Sequence, residues 1–214
     1  QQPDGLTLRS WNVTGEVNKA INRANPALAG FVLSAVAVRF AFPAISLEGK
    51  AFWILQTAPI SLRKLLWSKF WLNLVPLLFL GELLVFLSNL LLRVPGWMMT
   101  LSLITIFLMT FGITAIAVGV GALYPKFDYD HAAEISTGFG GMICMIFSIG
   151  FIGLTVMIEA WPVYLLTVQK FDPGTVARSP WLLVPSLFMI SVLTAAAVVL
   201  PIKLGLNKLE SMRA

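Results

Sequence analysis

The chain has 214 residues, 58% of them hydrophobic and only 12% charged, with a mean hydropathy of +0.86 and a formal net charge of +5. These values lie outside the range of ordinary water-soluble domains and mark an integral membrane protein. A single cysteine and a single histidine exclude an internal disulfide, a two-histidine metal site and an HExxH protease.

Residues 1–26 are a polar mixture containing Pro, Asn and Gly, without an initiator Met or a charged-then-apolar leader. They read as an extracytoplasmic segment, and the chain is expected to be the carboxy-terminal part of a longer protein. Asn12-Val13-Thr14 has the form of a glycosylation acceptor, but such triplets occur by chance and it carries no weight.

Five apolar windows follow, each about the 20 residues that a helix needs to cross roughly 30 Å of hydrocarbon. They are approximately Ala27–Ile45, Phe70–Leu92, Trp97–Leu123, Ile135–Ala160 and Trp181–Lys203. The runs are continuously apolar rather than alternating, so a β-barrel is excluded and closed helices must satisfy the backbone. The predicted fold is therefore all-α, a polytopic transmembrane helix bundle of about five spans occupying 27–214. Cys144 lies inside the fourth run and reads as a small apolar filler.

Cation placement sets the expected orientation. With the amino end outside, the inner segments hold Lys50, Arg63, Lys64, Lys69, Lys126, Lys208 and Arg213, with Lys203 at the last boundary. The outer connections after the first span hold Arg93, Lys170 and Arg178, which the positive-inside rule favours. Arg9, Lys19 and Arg23 in the leading segment count the other way. Trp97, Trp161 and Trp181 fall at the outer boundary and Trp67 and Trp71 at the inner one.

Between the first two windows stands Ser46–Phe70, "SLEGKAFWILQTAPISLRKLLWSKF", with four of the fifteen basic residues. Glu48 to Thr57 can form about two and a half helical turns, with Phe52, Trp53, Ile54 and Leu55 supplying bulk. Pro59 disfavours helix at Ala58, and Ser61 offers an N-cap for a second helix. In that helix Leu62, Leu65, Leu66 and Phe70 share one face, away from Arg63 and Lys64, and the helix runs on into the second span. The expected product is a short helix at the cytoplasmic surface, hinged to a membrane helix.

Charges inside spans are costly and need reasons. Glu82 lies roughly 18 Å along its helix from Phe70. Its structural reading is a carboxyl pairing with hydroxyls such as Thr110 or Thr114; its functional reading is a contact lining a substrate path. The structural one is preferred, because interior partners exist in number. Arg39, roughly 9 Å from the inner end of its span, can snorkel.

Asp128, Asp130, His131 and Glu134 form an acidic cytoplasmic loop, read as a solvated turn, with contact to a partner protein as the alternative and a metal site less favoured than either. Small residues four apart flank it: Ala115 and Gly119, Ala117 and Gly121, Ser136 and Gly140, Thr137 and Gly141. They allow close helix packing, within or between protomers. Pro76, Pro185 and Pro201 are candidate kinks.

Catalytic patterns fail on inspection. Gly49-Lys50 lacks the Gly and the Ser or Thr of a phosphate loop, since Ala44 and Ala51 stand there. Gly119-Val120-Gly121 lacks the third glycine of a dinucleotide fingerprint, Tyr124 standing in its place. No catalytic, cofactor-binding or metal-binding residue is assigned, and no enzyme is expected.

The stretch "PAISLEGKAFWILQTAPISLRKLLWSKF" resembles the cytoplasmic connection of membrane-spanning permease subunits of ATP-binding-cassette exporters of the second permease type, especially a bacterial branch. "GVGALYPKFDYDHAAEISTGFGG" and the closing "PIKLGLNKLE" are similar to the same branch. In such proteins an acidic residue, a short helix, a Pro-Ile-Ser-like turn and a Lys leading into the next span form a coupling helix that docks on the nucleotide-binding subunit. The resemblance therefore implies docking roles for Glu48, Gly49, Phe52, Trp53, Pro59, Ser61 and Lys69, with 46–69 as the coupling segment; Glu82 is a candidate pathway residue only by its depth in the second span. Such permeases commonly have six spans, so an upstream span is expected outside this sequence. The partners implied are a nucleotide-binding ATPase subunit, a second permease protomer or half, and the lipid bilayer of a cell membrane; nucleic acid is not among them. The alternative is a membrane scaffold or assembly protein without transport. From the residues alone, 46–70 can be a lever, a passive linker or a membrane-surface anchor.

Overall fold

The structure is a computed structural model describing residues 25–51, 61–94, 96–126, 132–168 and 183–211. Helix α1 occupies 25–40. Two short 3-10 helices, Phe42–Ala44 and Ser46–Ala51, lead on to α2 (Leu62–Leu91), α3 (Gly96–Leu123), the single-turn α4 (Ala132–Thr137), α5 (Phe139–Val168) and α6 (Leu183–Ser211). No strand occurs among the described residues, and five helical stretches are long and apolar enough to cross a membrane. They are Asn25–Ala44, Leu62–Leu91, Gly96–Leu123, Phe139–Trp161 and Val184–Ser211, one for each expected window.

Helix α3 is the centre of the bundle: 72% of its most apolar window is buried, against 17% for α6 and 28% for α2. Its sequence explains the position. Helix α3 carries Gly112, Ala115, Ala117, Gly119, Gly121 and Ala122, which let neighbours approach from several directions. A Cβ on Gly119 would stand 2.5 Å from the Pro201 backbone carbon and 2.7 Å from its oxygen. A Cβ on Gly121 would overlap the Phe42 carbonyl oxygen. The small residues of α3 thus serve packing within the chain, and α3 meets α6 more extensively than any other element.

On α2 the buried residues Leu62, Leu66, Phe70, Leu74, Leu77, Gly81, Val85 and Asn89 recur every three or four positions. The intervening Leu72, Val75, Phe79, Leu83, Phe86, Leu87 and Leu90 are exposed and equally apolar, as expected where the medium is lipid. Leu62, Leu66 and Phe70 are buried, Leu65 packs against the core, and Arg63 and Lys64 face outward, as the spacing predicts.

Three local expectations need correction. Ser61 does occupy the N-cap of α2 with extended backbone, but its hydroxyl makes no capping bond; only its carbonyl joins the helix, accepting from the Lys64 and Leu65 amides. The second span starts at Leu62, because the amphipathic segment and the span are one uninterrupted helix. Pro185 lies in the first turn of α6, where a missing amide costs nothing, so it is no kink candidate, whereas Pro76 and Pro201 do lie inside their helices.

Helix α2 ends in a paired carbonyl cap. Arg93, at φ 50°, donates its amide to the Leu90 carbonyl, and Val94 donates to Asn89. This is the two-bond arrangement in which Gly is the usual left-handed residue.

Candidate functional site

The connection between α1 and α2 is built into the bundle from its first residues. Phe42 is buried, its carbonyl seated against Gly121 and its ring against Gly140. Ile45 is also buried, and Ser46, fully enclosed, accepts a 3.0 Å hydrogen bond through Oγ from the Lys126 amide. That bond spans 80 positions in sequence and ties the α1–α2 connection to the one following α3. Lys126 in turn pairs its ammonium with the Glu134 carboxylate on α4.

Glu48 follows in the 3-10 helix Ser46–Ala51, its amide donating to the Ile45 carbonyl. Its carboxylate forms an ion pair with Lys69, two turns into α2. The two side chains are 29% and 24% exposed, so solvent screens the pair less than a fully exposed one. Two residues singled out separately in the sequence are thus joined to each other.

The remaining candidates fall as follows. Gly49 belongs to the Ser46–Ala51 helix and Ser61 is exposed at the start of α2. Phe52, Trp53 and Pro59 lie outside the described residues, as does the greater part of the helix expected over Glu48–Thr57; its described beginning is 3-10 rather than α and starts at Ser46. Asp128, Asp130 and His131 are likewise outside the described residues, and Glu134 is committed to Lys126.

Glu82 is half-buried on α2, one position beyond Gly81, which packs against Leu33 and Thr110. The hydroxyl partners expected for it are engaged elsewhere: Thr110 donates to the Ile106 carbonyl at 2.8 Å and Thr114 to the Thr110 carbonyl at 2.7 Å. Threonines in apolar helices commonly satisfy themselves in this way, on the carbonyl four residues back.

The more deeply buried intramembrane carboxylate is Glu159 on α5, only 8% exposed, and the sequence reading passed over it. Thr105 of α3 lies beside it, fully buried, with its Oγ1 outside hydrogen-bond geometry to any group. The signal was available, since Glu159 is the one charged residue between Glu134 and Lys170. A second unforeseen contact is the 2.9 Å bond from Asn25 Nδ2 to Asn89 Oδ1, which joins the start of α1 to the end of α2. Cys144 is buried and free, as a packing residue should be.

A wholly apolar groove of about 600 Å³ runs between α3, α5 and α6, lined by residues such as Ile116, Phe147, Leu154, Leu193 and Leu200. It offers no polar group that could select a ligand. Among the described residues no cluster of His, Cys, Asp or Glu could hold a metal ion.

The arrangement is thus a short, partly charged platform locked to the ends of α2, α3 and α5 beneath a bundle of membrane-length helices. No curated protein and no solved structure matches the chain. The model of the family described as "Putative ATP-binding cassette" matches residues 12–214, almost the entire sequence. Built of membrane-length helices and matched over that length, the chain belongs to this family and is an ATP-binding-cassette-related membrane protein.

Proposed function

We propose that the chain is the membrane-spanning permease subunit of an ATP-binding-cassette exporter, which moves a substrate across the cytoplasmic membrane while a separate subunit hydrolyses ATP. The family description names the cassette itself. The permease reading is favoured by five membrane-length helices and by a Gly49-Lys50 pair without the spacing of a phosphate loop. On this reading the chain has no catalytic residue of its own.

The observation that carries the reading is the Glu48–Lys69 ion pair. A coupling element must pass displacement from a docked partner into the bundle, which requires a folded segment joined stiffly to a span. Ser46–Ala51 is such a segment, linked to α2 by that pair and to the α3–α4 connection by the Ser46–Lys126 bond. Motion imposed on it would reach α2 and the central helix α3 together. A flexible linker would have no reason for either link.

The test is co-expression with a nucleotide-binding protein sought in the neighbouring reading frames. Co-purification, with ATP hydrolysis raised above that of the ATPase alone, is expected. A bundle that inserts and folds normally but neither retains nor stimulates the ATPase would support the scaffold role instead.

A further inference from the structure

Helices α2 and α6 meet far less extensively than α3 and α6, and at the end of the bundle carrying Ser46–Ala51 they leave a cavity of about 260 Å³ between them. Its walls are Leu66 and Trp67 from α2 and Val198, Val199, Ile202 and Leu206 from α6; its two charged residues are Arg63 and Lys203. Two helices that contribute one cation each to an otherwise apolar cleft repel one another there unless an anion lies between. Among the described residues neither cation is in an ion pair with a carboxylate, and both side chains are exposed.

The start of α2 has the same unmet need. Arg63 and Lys64 stand in its first turn with no acidic residue among them, and the Ser61 hydroxyl leaves the helix end uncapped. A helix amino terminus favours an anion, and cations placed there are unfavourable unless an anion joins them.

The position of the cavity narrows the ligand. Lys203 is eight residues, or roughly 12 Å, from the end of α6, and Trp67 is half-buried beside it, the placing expected of side chains at a membrane–water interface. The apolar walls continue from the two cations along Val198, Val199 and Ile202 toward the middle of the span. A volume of 260 Å³ is below that of sites enclosing a whole drug-sized ligand. It suits a phosphate headgroup whose acyl chains remain in the bilayer.

We infer that the cleft between α2 and α6 is a binding site for an anionic phospholipid, the phosphate held by Arg63 and Lys203 and one acyl chain lying along the apolar wall of α6. The bound lipid bridges the start of α2 to α6 and braces the helix to which Glu48 is paired. The site requires only that the bundle is embedded in a membrane. Its place in the cytoplasmic leaflet rests on the orientation expected from the cations, so a test in symmetric nanodiscs can fail without touching the permease reading.

The experiment is lipid retention on the full chain, purified from nanodiscs containing equal parts phosphatidylglycerol and phosphatidylcholine and counted by native mass spectrometry. Wild type should retain phosphatidylglycerol preferentially. The double variant Arg63→Gln/Lys203→Gln should lose roughly 25-fold in that preference, about fivefold for each cation. Lys208→Gln, an exposed cation on the same helix outside the cleft, should leave it unchanged. Equal retention of the two lipids, or the same loss with Lys208→Gln, would overturn the proposal. Displacement of the lipid by millimolar inorganic phosphate would overturn it too, by making the headgroup anion alone the ligand. A second reading does not depend on the double variant folding. Phosphatidylglycerol with brominated chains should quench a fluorescence component that disappears in Trp67→Phe, and quenching identical in wild type and Trp67→Phe would place the lipid elsewhere.

Discussion

Two buried or half-buried carboxylates make opposite demands on the residues around them. Among the described residues Glu82 makes no hydrogen bond, and it is only half-buried, so Glu82→Gln should leave abundance and ATPase stimulation near wild type. Lost stimulation at normal abundance would make Glu82 a pathway residue. Glu159 is 8% exposed, beside the buried Thr105 hydroxyl. Glu159→Ala should therefore cost about 1–3 kcal/mol in detergent unfolding, through the cavity left in the bundle. Glu159→Gln, which keeps the shape, should cost less than half as much. Asn89 belongs to the same scale: its carbonyl closes the end of α2 while its side chain accepts from Asn25. The reading of the sequence weighed charges by their depth in an apolar run, which found Glu82, but depth in a run is not burial. Glu159 lies near the end of its run and is still enclosed, with Thr105 of α3 beside it.

At the scale of helices, the runs of apolar residues made all five spans legible, since lipid demands about the same length of each. What they could not reveal is which helix is central. Every span has an apolar outer surface, so hydropathy does not distinguish α3, at 72% buried, from α6, at 17%. The small residues of α3 did point to close packing, and the structure assigns two of the contacts: Gly119 against Pro201 and Gly121 against Phe42. Gly119→Val should accordingly force α6 off α3 and destabilise the bundle by about 1–3 kcal/mol. Gly150→Ala and Gly153→Ala, where nothing stands within 4 Å of the added carbon, should be neutral or stabilising by up to about 1 kcal/mol. Thermal unfolding of the three variants in one detergent would check the ranking, and equal losses in all three would contradict the placement of α3. Ser61 shows the same limit at an element's edge. Its residue type predicted the cap position correctly, while the side-chain bond depends on a rotamer that sequence does not specify.

For the whole molecule, the decisive links are pairs distant in sequence, Glu48 with Lys69 and Ser46 with Lys126, which periodicity cannot connect. They tie the α1–α2 connection to the start of α2 and the end of α3, and give the proposed permease a place to receive force. The orientation expected from the charge distribution predicts that a cysteine at Ser61 labels only from the cytoplasmic side and one at Gly174 only from outside, and the reverse pattern would invert it. The ion pair gives the most direct test of coupling. ATP hydrolysis by the cognate nucleotide-binding subunit should be measured with wild-type chain, Glu48→Arg, Lys69→Glu and the charge-exchanged double variant. Each single reversal places like charges together and should abolish most of the stimulation at unchanged membrane abundance, while the exchange should restore at least half of it. Full stimulation by Glu48→Arg would contradict the account.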